Sequence, residues 1–154
     1  MPECDNKSVG VIVRKEDKIL LIERKKFPHG FACPAGHVDD HGSFEDAARD
    51  ELREEVGLTI VGLKLLTETR KENKCRREGG DWHYWKVYEA QTSGDLERSE
   101  SETKQADWFD MNNIRKLAEK TNAYLKGKVA QEDWDRSPGI EPVWLDFFEE
   151  LKII

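Results

Sequence analysis

The chain has 154 residues, the usual size of one domain, and a chain of that length can bury a core without disulfides to hold it. Its net charge of −7 argues against nucleic-acid binding through a broad basic surface, whereas a phosphorylated small molecule stays within reach if divalent cations intervene. Charged residues make up 37%, which implies a heavily solvated surface. The periodic apolar segments argue against a disordered chain.

The N-terminus, MPECDNKS, is polar, and no apolar run reaches membrane-spanning length. Neither a signal peptide nor a membrane span is expected. The cysteines Cys4, Cys33 and Cys75 contain no CxxC pair, so neither a disulfide framework nor a zinc site is predicted. Reduced thiols in a cytoplasmic protein are the simpler reading. Cys33, before Pro34, reads as a buried apolar residue.

In chain order, residues 8–14 (SVGVIVR) and 18–23 (KILLIE) are apolar and β-branched, and the polar KED between them predicts a hairpin. Residues 25–42 read as a loop anchored by Phe27, Phe31 and Val38. Ser43, with Asp46 three residues on, opens a helix that runs to Val56 and stops at Gly57. Residues 58–69 return to strand character. Residues 70–81 form a polar loop, 82–90 (WHYWKVYEA) a strand and TSGD at 92–95 a turn. A short strand ends at ADWF, and Asp110 caps a helix over 111–120. Residues 121–140 read as partly helical. Apolar residues at 143, 144, 147, 148 and 151 predict a packed C-terminal helix. One domain over 1–154 is expected, with 121–154 as a helical extension. The element order implies mixed pairing with helices around a central sheet.

At about 100° per residue, Glu51, Glu54 and Glu55 share one face of the 44–56 helix, beside an apolar stripe of Phe44, Ala48, Leu52 and Val56. Carboxylates so clustered suit either a solvated face or a hard cation such as Mg²⁺ or Mn²⁺. Periodicity alone favours the solvated face.

Residues 34–58, PAGHVDDHGSFEDAARDELREEVGL, resemble the Nudix box, G-x5-E-x7-R-E-U-x-E-E-x-G-U with U aliphatic. Gly36, Glu51, Leu52, Glu54, Glu55, Gly57 and Leu58 match at the required spacing. Two positions depart: the first Glu of the pattern falls on Gly42 and its Arg on Asp50. Arg53 and Lys86 are candidates to replace that Arg.

The resemblance implies an α/β/α sandwich around a mixed sheet. It also implies metal-dependent hydrolysis of a nucleoside diphosphate linked to another group: a nucleoside triphosphate, nucleotide sugar, ADP-ribose or dinucleotide. Gly36, Glu51, Glu54 and Glu55 would hold Mg²⁺ or Mn²⁺. The general base would be a glutamate of the box, Glu54, or of a later loop, Glu102. From the residues themselves, Arg76 and Arg77 are candidate phosphate clamps in a loop that reads more simply as solvated, and Trp82 and Tyr84, on one face of their strand, are a candidate stacking surface where core packing is the commoner reading. The His37, Asp39, Asp40, His41 loop reads less well as a metal site, because hard cations avoid imidazole. The resemblance allows a homodimer, with the aromatic tail of Trp144, Phe147 and Phe148 as its surface. Gly42 and Asp50 motivate the alternative of a catalytically weakened nucleotide-binding or regulatory protein. An RNA-end pyrophosphohydrolase fits the acidic balance poorly.

Overall fold

The computed structural model describes residues 3–154. Strands β1 (Lys7–Lys15) and β2 (Lys18–Arg24) form the expected hairpin. Two short strands, β3 (Phe31–Ala32) and β4 (Ala35–His37), and a 3-10 turn at Asp39–His41 interrupt the segment read as loop. Helix α1 (Phe44–Val56) is capped by the Ser43 hydroxyl, which accepts the Asp46 N–H. It ends at Gly57, whose φ of 73° suits the left-handed C-cap. Strands β5 (Thr59–Lys71), β6 (His83–Ser93) and β7 (Thr103–Phe109) follow, then α2 (Met111–Leu125), α3 (Gln131–Arg136) and α4 (Pro142–Glu150). Strand β6 runs to Ser93, so the turn predicted at 92–95 starts later than its composition suggests.

The sheet is mixed, in the order β3-β2-β1-β6-β5, with β4 on β1 and β7 on β2. Strands β1 and β6 are parallel, and β1–β2, β5–β6 and β2–β7 are antiparallel. Side chains alternate across β1. Val9, Val11 and Val13 pack beneath α1 with Ala47, Ala48, Leu52 and Val56. Ile12 faces the other way, toward Ile114 of α2 and Trp144, Phe147 and Phe148 of α4. Helices therefore cover both faces, as an α/β/α sandwich requires.

Two expectations are corrected. Phe27 is not a buried anchor but 47% exposed. The aromatic tail is not a dimer surface: Trp144, Phe147 and Phe148 are fully buried in the chain's own core, Trp144 and Phe147 edge-packed on Trp85 and Phe148 against Trp144. Their spacing was that of a helix face, and that face packs onto the sheet. No helix among the described residues is long and apolar enough to cross a membrane.

Candidate active site

The start of the box and the last turns of α1 meet where β4 pairs with β1. Gly36 pairs with Val9 of β1, and a Cβ on Gly36 would fall 2.2 Å from the Glu51 carboxyl carbon. Only a glycine lets that carboxylate lie against the β4 backbone. Glu55 is buried, and its Oε1 accepts the Ala35 N–H at 2.9 Å. Glu54 is exposed on the same helix. Glu102 comes from the turn before β7 and lines the same cavity as Glu51 and Glu55.

Their protonation reflects this crowding. Burial, then the like charges of Glu54 and Glu102, push Glu51 up to about 7. Burial and the neighbouring Glu51 hold Glu55 well above the ordinary carboxylate range. Carboxylates gathered this closely without a cation between them hold on to protons. A hard divalent ion relieves that repulsion and finds the oxygen donors it prefers, so the donor set fits one.

A cavity of about 260 Å³ opens over these groups. The same cavity is lined by the cations Arg24, Lys26, Lys74, Arg76 and Arg77. Arg76 is exposed, while Arg77 is paired with Asp39 at 2.7 Å. An adjoining cavity of about 270 Å³ shares Phe27, Lys74 and Glu141 with it and adds Tyr124 and Trp134, whose rings stack at 4.1 Å. Trp82 and Tyr84 border neither cavity. Trp82 lies under the Arg70 guanidinium, 4.2 Å from ring to cation, and Tyr84 sits edge-on to Phe44. The alternation of β6 instead turns His83 and Trp85 inward. Lys26, Lys74 and Trp134 lie in loops or in a short helix with no motif around them, so the sequence carries no signal for them, and Phe27 reads there only as a buried anchor.

The departures from the box are physically connected. Gly42 has φ 101° and ψ −51°, a conformation that side-chain-bearing residues rarely adopt. The turn thus places His41 against α1, with Nδ1 2.7 Å from Asp50 Oδ2 and Nε2 3.7 Å from Glu51 Oε1. The Asp50 hydrogen bond raises the His41 pKa, so the imidazolium form is favoured. Arg53 does not reach the glutamates; it pairs with Asp50 at 2.6 Å. Lys86 lies over the Phe44 ring, 3.7 Å from Glu68. His41 is therefore the cationic group beside Glu51.

With this geometry in place, the comparisons define the class. The sequence matches the NUDIX domain over residues 5–130, and the chain belongs to the Nudix family. It is 33% identical over 114 residues to an ADP-ribose pyrophosphatase of Methanocaldococcus jannaschii, covering 72% of this chain and 65% of that protein. It is 38% identical over 63 residues to an RNA pyrophosphohydrolase of Shewanella denitrificans, covering 41% of this chain and 37% of that one. The chain thus spans less than two thirds of the length of these curated relatives. The crystal structure of a MutT protein from Methanosarcina mazei Go1 matches its fold with a TM-score of 0.68 at 16% identity, over 99% of this chain and 96% of that one.

Proposed function

We propose that the chain is a Nudix-type pyrophosphohydrolase that cleaves the diphosphate of a nucleoside diphosphate linked to another group, in the cytoplasm. Residues 1–154 would act as one domain, with the helices of 121–154 as an extension of it. The observation that carries this is that the carboxylates Glu51, Glu55 and Glu102 and the cations Arg24, Lys74 and Arg76 line one cavity. Nudix hydrolases generally use divalent metals. Glu51, Glu54 and Glu55, with the Gly36 backbone, would hold Mg²⁺ or Mn²⁺, which when bound neutralises a diphosphate and acidifies water.

The remaining work falls to the protein's own groups. Arg24, Lys74 and Arg76 draw the phosphate oxygens into line, since positioning and charge neutralisation dominate this class of chemistry. The carboxylate of Glu102, at the open edge of the acid cluster, takes the proton of the attacking water. Glu54 is the box residue that would serve in its place. The adjoining cavity receives the nucleoside, with Phe27 at its mouth and Trp134 and Tyr124 in its wall. ADP-ribose leads the substrates to test, because the relative aligned over 114 residues is an ADP-ribose pyrophosphatase. The RNA pyrophosphohydrolase match spans only 63 residues, so RNA ends are a weaker choice, and the acidic chain lacks a basic stripe to hold them.

The test is product release from ADP-ribose, nucleotide sugars, dinucleotides, nucleoside triphosphates and 5′-triphosphate RNA, each with Mg²⁺ or Mn²⁺. Metal-dependent turnover of a nucleoside diphosphate derivative is expected. Binding without turnover on every substrate would establish the regulatory alternative instead. Phe27→Ala is expected to raise KM several-fold on the preferred nucleotide with kcat little changed; an unchanged KM would remove the nucleoside from that cavity.

A further inference from the structure

Around His37, which follows the first glycine of the box, four side chains from four separated segments converge. Cys4 precedes β1, His37 ends β4, Cys75 lies in the β5–β6 loop and His83 opens β6. One ligand atom from each lies within 4.8 Å of the other three. We propose that Cys4, His37, Cys75 and His83 form a tetrahedral Cys2His2 site for a structural Zn²⁺ ion, separate from the cation site of Glu51, Glu54 and Glu55.

The separations from Cys4 Sγ to Cys75 and His83 suit the ion. Zn–S bonds of about 2.3 Å and Zn–N bonds of about 2.0 Å at the tetrahedral angle place sulfur atoms about 3.8 Å apart, and sulfur and nitrogen about 3.5 Å apart. The Cys4 and Cys75 sulfurs are 3.8 Å apart, and Cys4 Sγ lies 3.3 Å from His83 Nε2. Both cysteines are free.

The surroundings are arranged as a thiolate–imidazole site needs. Each sulfur accepts a backbone N–H from two residues further on: Asn6 to Cys4 Sγ at 3.3 Å, and Arg77 to Cys75 Sγ at 3.4 Å. Such donors stabilise a thiolate. A Cβ on Gly80 would fall 2.2 Å from Cys75 Sγ, so this glycine leaves the room that the sulfur occupies. Asn73 Oδ1 accepts the Trp85 indole N–H at 3.1 Å and faces His83 Nδ1 at 3.3 Å. Its oxygen is thereby fixed toward the ring, Nδ1 carries the proton, and Nε2 presents its lone pair to Cys4. His37 Nε2 is buried without a hydrogen-bond partner, and a bound ion would satisfy it.

Soft sulfur and imidazole donors select Zn²⁺, whereas the carboxylates of α1 select a hard ion, so donor type keeps the two sites apart. On binding, the two thiols release their protons to solvent, and two thiolates with two neutral imidazoles neutralise the ion. The site would tie the N-terminal segment to the loop carrying Lys74, Arg76 and Arg77. Since His37, Cys75 and His83 line the phosphate-facing cavity, zinc would hold one wall of it.

The experiment is metal analysis of the full chain, purified untagged and without chelator. About one zinc per chain is expected, retained in Glu55→Gln and lost in Cys4→Ser and Cys75→Ser. After removal of zinc, added Co²⁺ should give the intense visible bands of a tetrahedral thiolate complex in the wild type and not in Cys4→Ser. The wild-type spectrum decides the matter even if a cysteine variant fails to fold. The inference is overturned if the wild type neither holds zinc nor gives that spectrum, if folded Cys4→Ser keeps its zinc, or if fresh protein carries a Cys4–Cys75 disulfide by intact mass.

Discussion

Asp50 stands where the box carries arginine, and its partners explain how the acidic face is tolerated. His41 bridges it to Glu51, while Arg53 takes its other oxygen. The departure could be read in the sequence, but its remedy could not, because only the turn at Asp39–His41 folds His41 back onto Asp50, nine residues away. His41→Ala and Asp50→Asn are each expected to lower kcat about 10–100-fold by releasing the orientation of Glu51, with the fold retained by circular dichroism. Unchanged kcat in both would remove His41 from that role. Restoring the pattern by Gly42→Glu should not raise activity, since φ at 42 is 101°. A gain in kcat would show that the turn yields to a side chain.

At the scale of elements, α1 carries opposing demands. Its apolar face was readable from spacing, and Ala48, Leu52 and Val56 are indeed fully buried. That Glu55 is buried with them was not readable, because its cover comes from β4, a three-residue strand inside a segment that reads as loop. The same holds for the Cys and His cluster: Cys4 and Cys75 lie 71 residues apart and meet only through the β5–β6 loop.

The raised carboxylate pKa values have a consequence for stability. Glu51 goes from an unfolded value near 4.5 to about 7 in the fold, so the folded state binds more protons between those values. Stability in magnesium-free buffer should therefore be greatest below about pH 4.5 with respect to this group, and fall as pH rises through about 7. Adding Mg²⁺ should raise Tm more at pH 8 than at pH 5.5. An equal gain at both would separate the cation from these carboxylates. Glu55→Gln keeps an oxygen for the Ala35 N–H and removes a carboxyl whose charged form burial disfavours. It should raise Tm in magnesium-free buffer at pH 8, and a lowered Tm would show that the charge is better compensated than its surroundings suggest.

Across the whole molecule, the C-terminal helices complete the sandwich rather than decorate it. A Cβ on Gly10 would lie 2.4 Å from the Trp144 ring, so β1 and α4 are in direct contact through a glycine. Gly10→Ala is expected to cost about 1–3 kcal/mol by overpacking, and less in a Trp144→Leu background, where the ring is gone. Urea unfolding of the double-mutant cycle measures the difference, and simple additivity would contradict the contact.

One half of the sandwich thus supports the sheet, while the other half, α1 with β4, presents its carboxylates to the cavity. The most direct measurement of that arrangement is the steady-state rate of Glu55→Gln against the wild type on the best substrate at saturating Mg²⁺ or Mn²⁺. A fall in kcat of about 100-fold or more, with an unaltered circular dichroism spectrum, is predicted. A folded Glu55→Gln that turns over within twofold of the wild type would contradict the assignment of the box carboxylates as the seat of the chemistry.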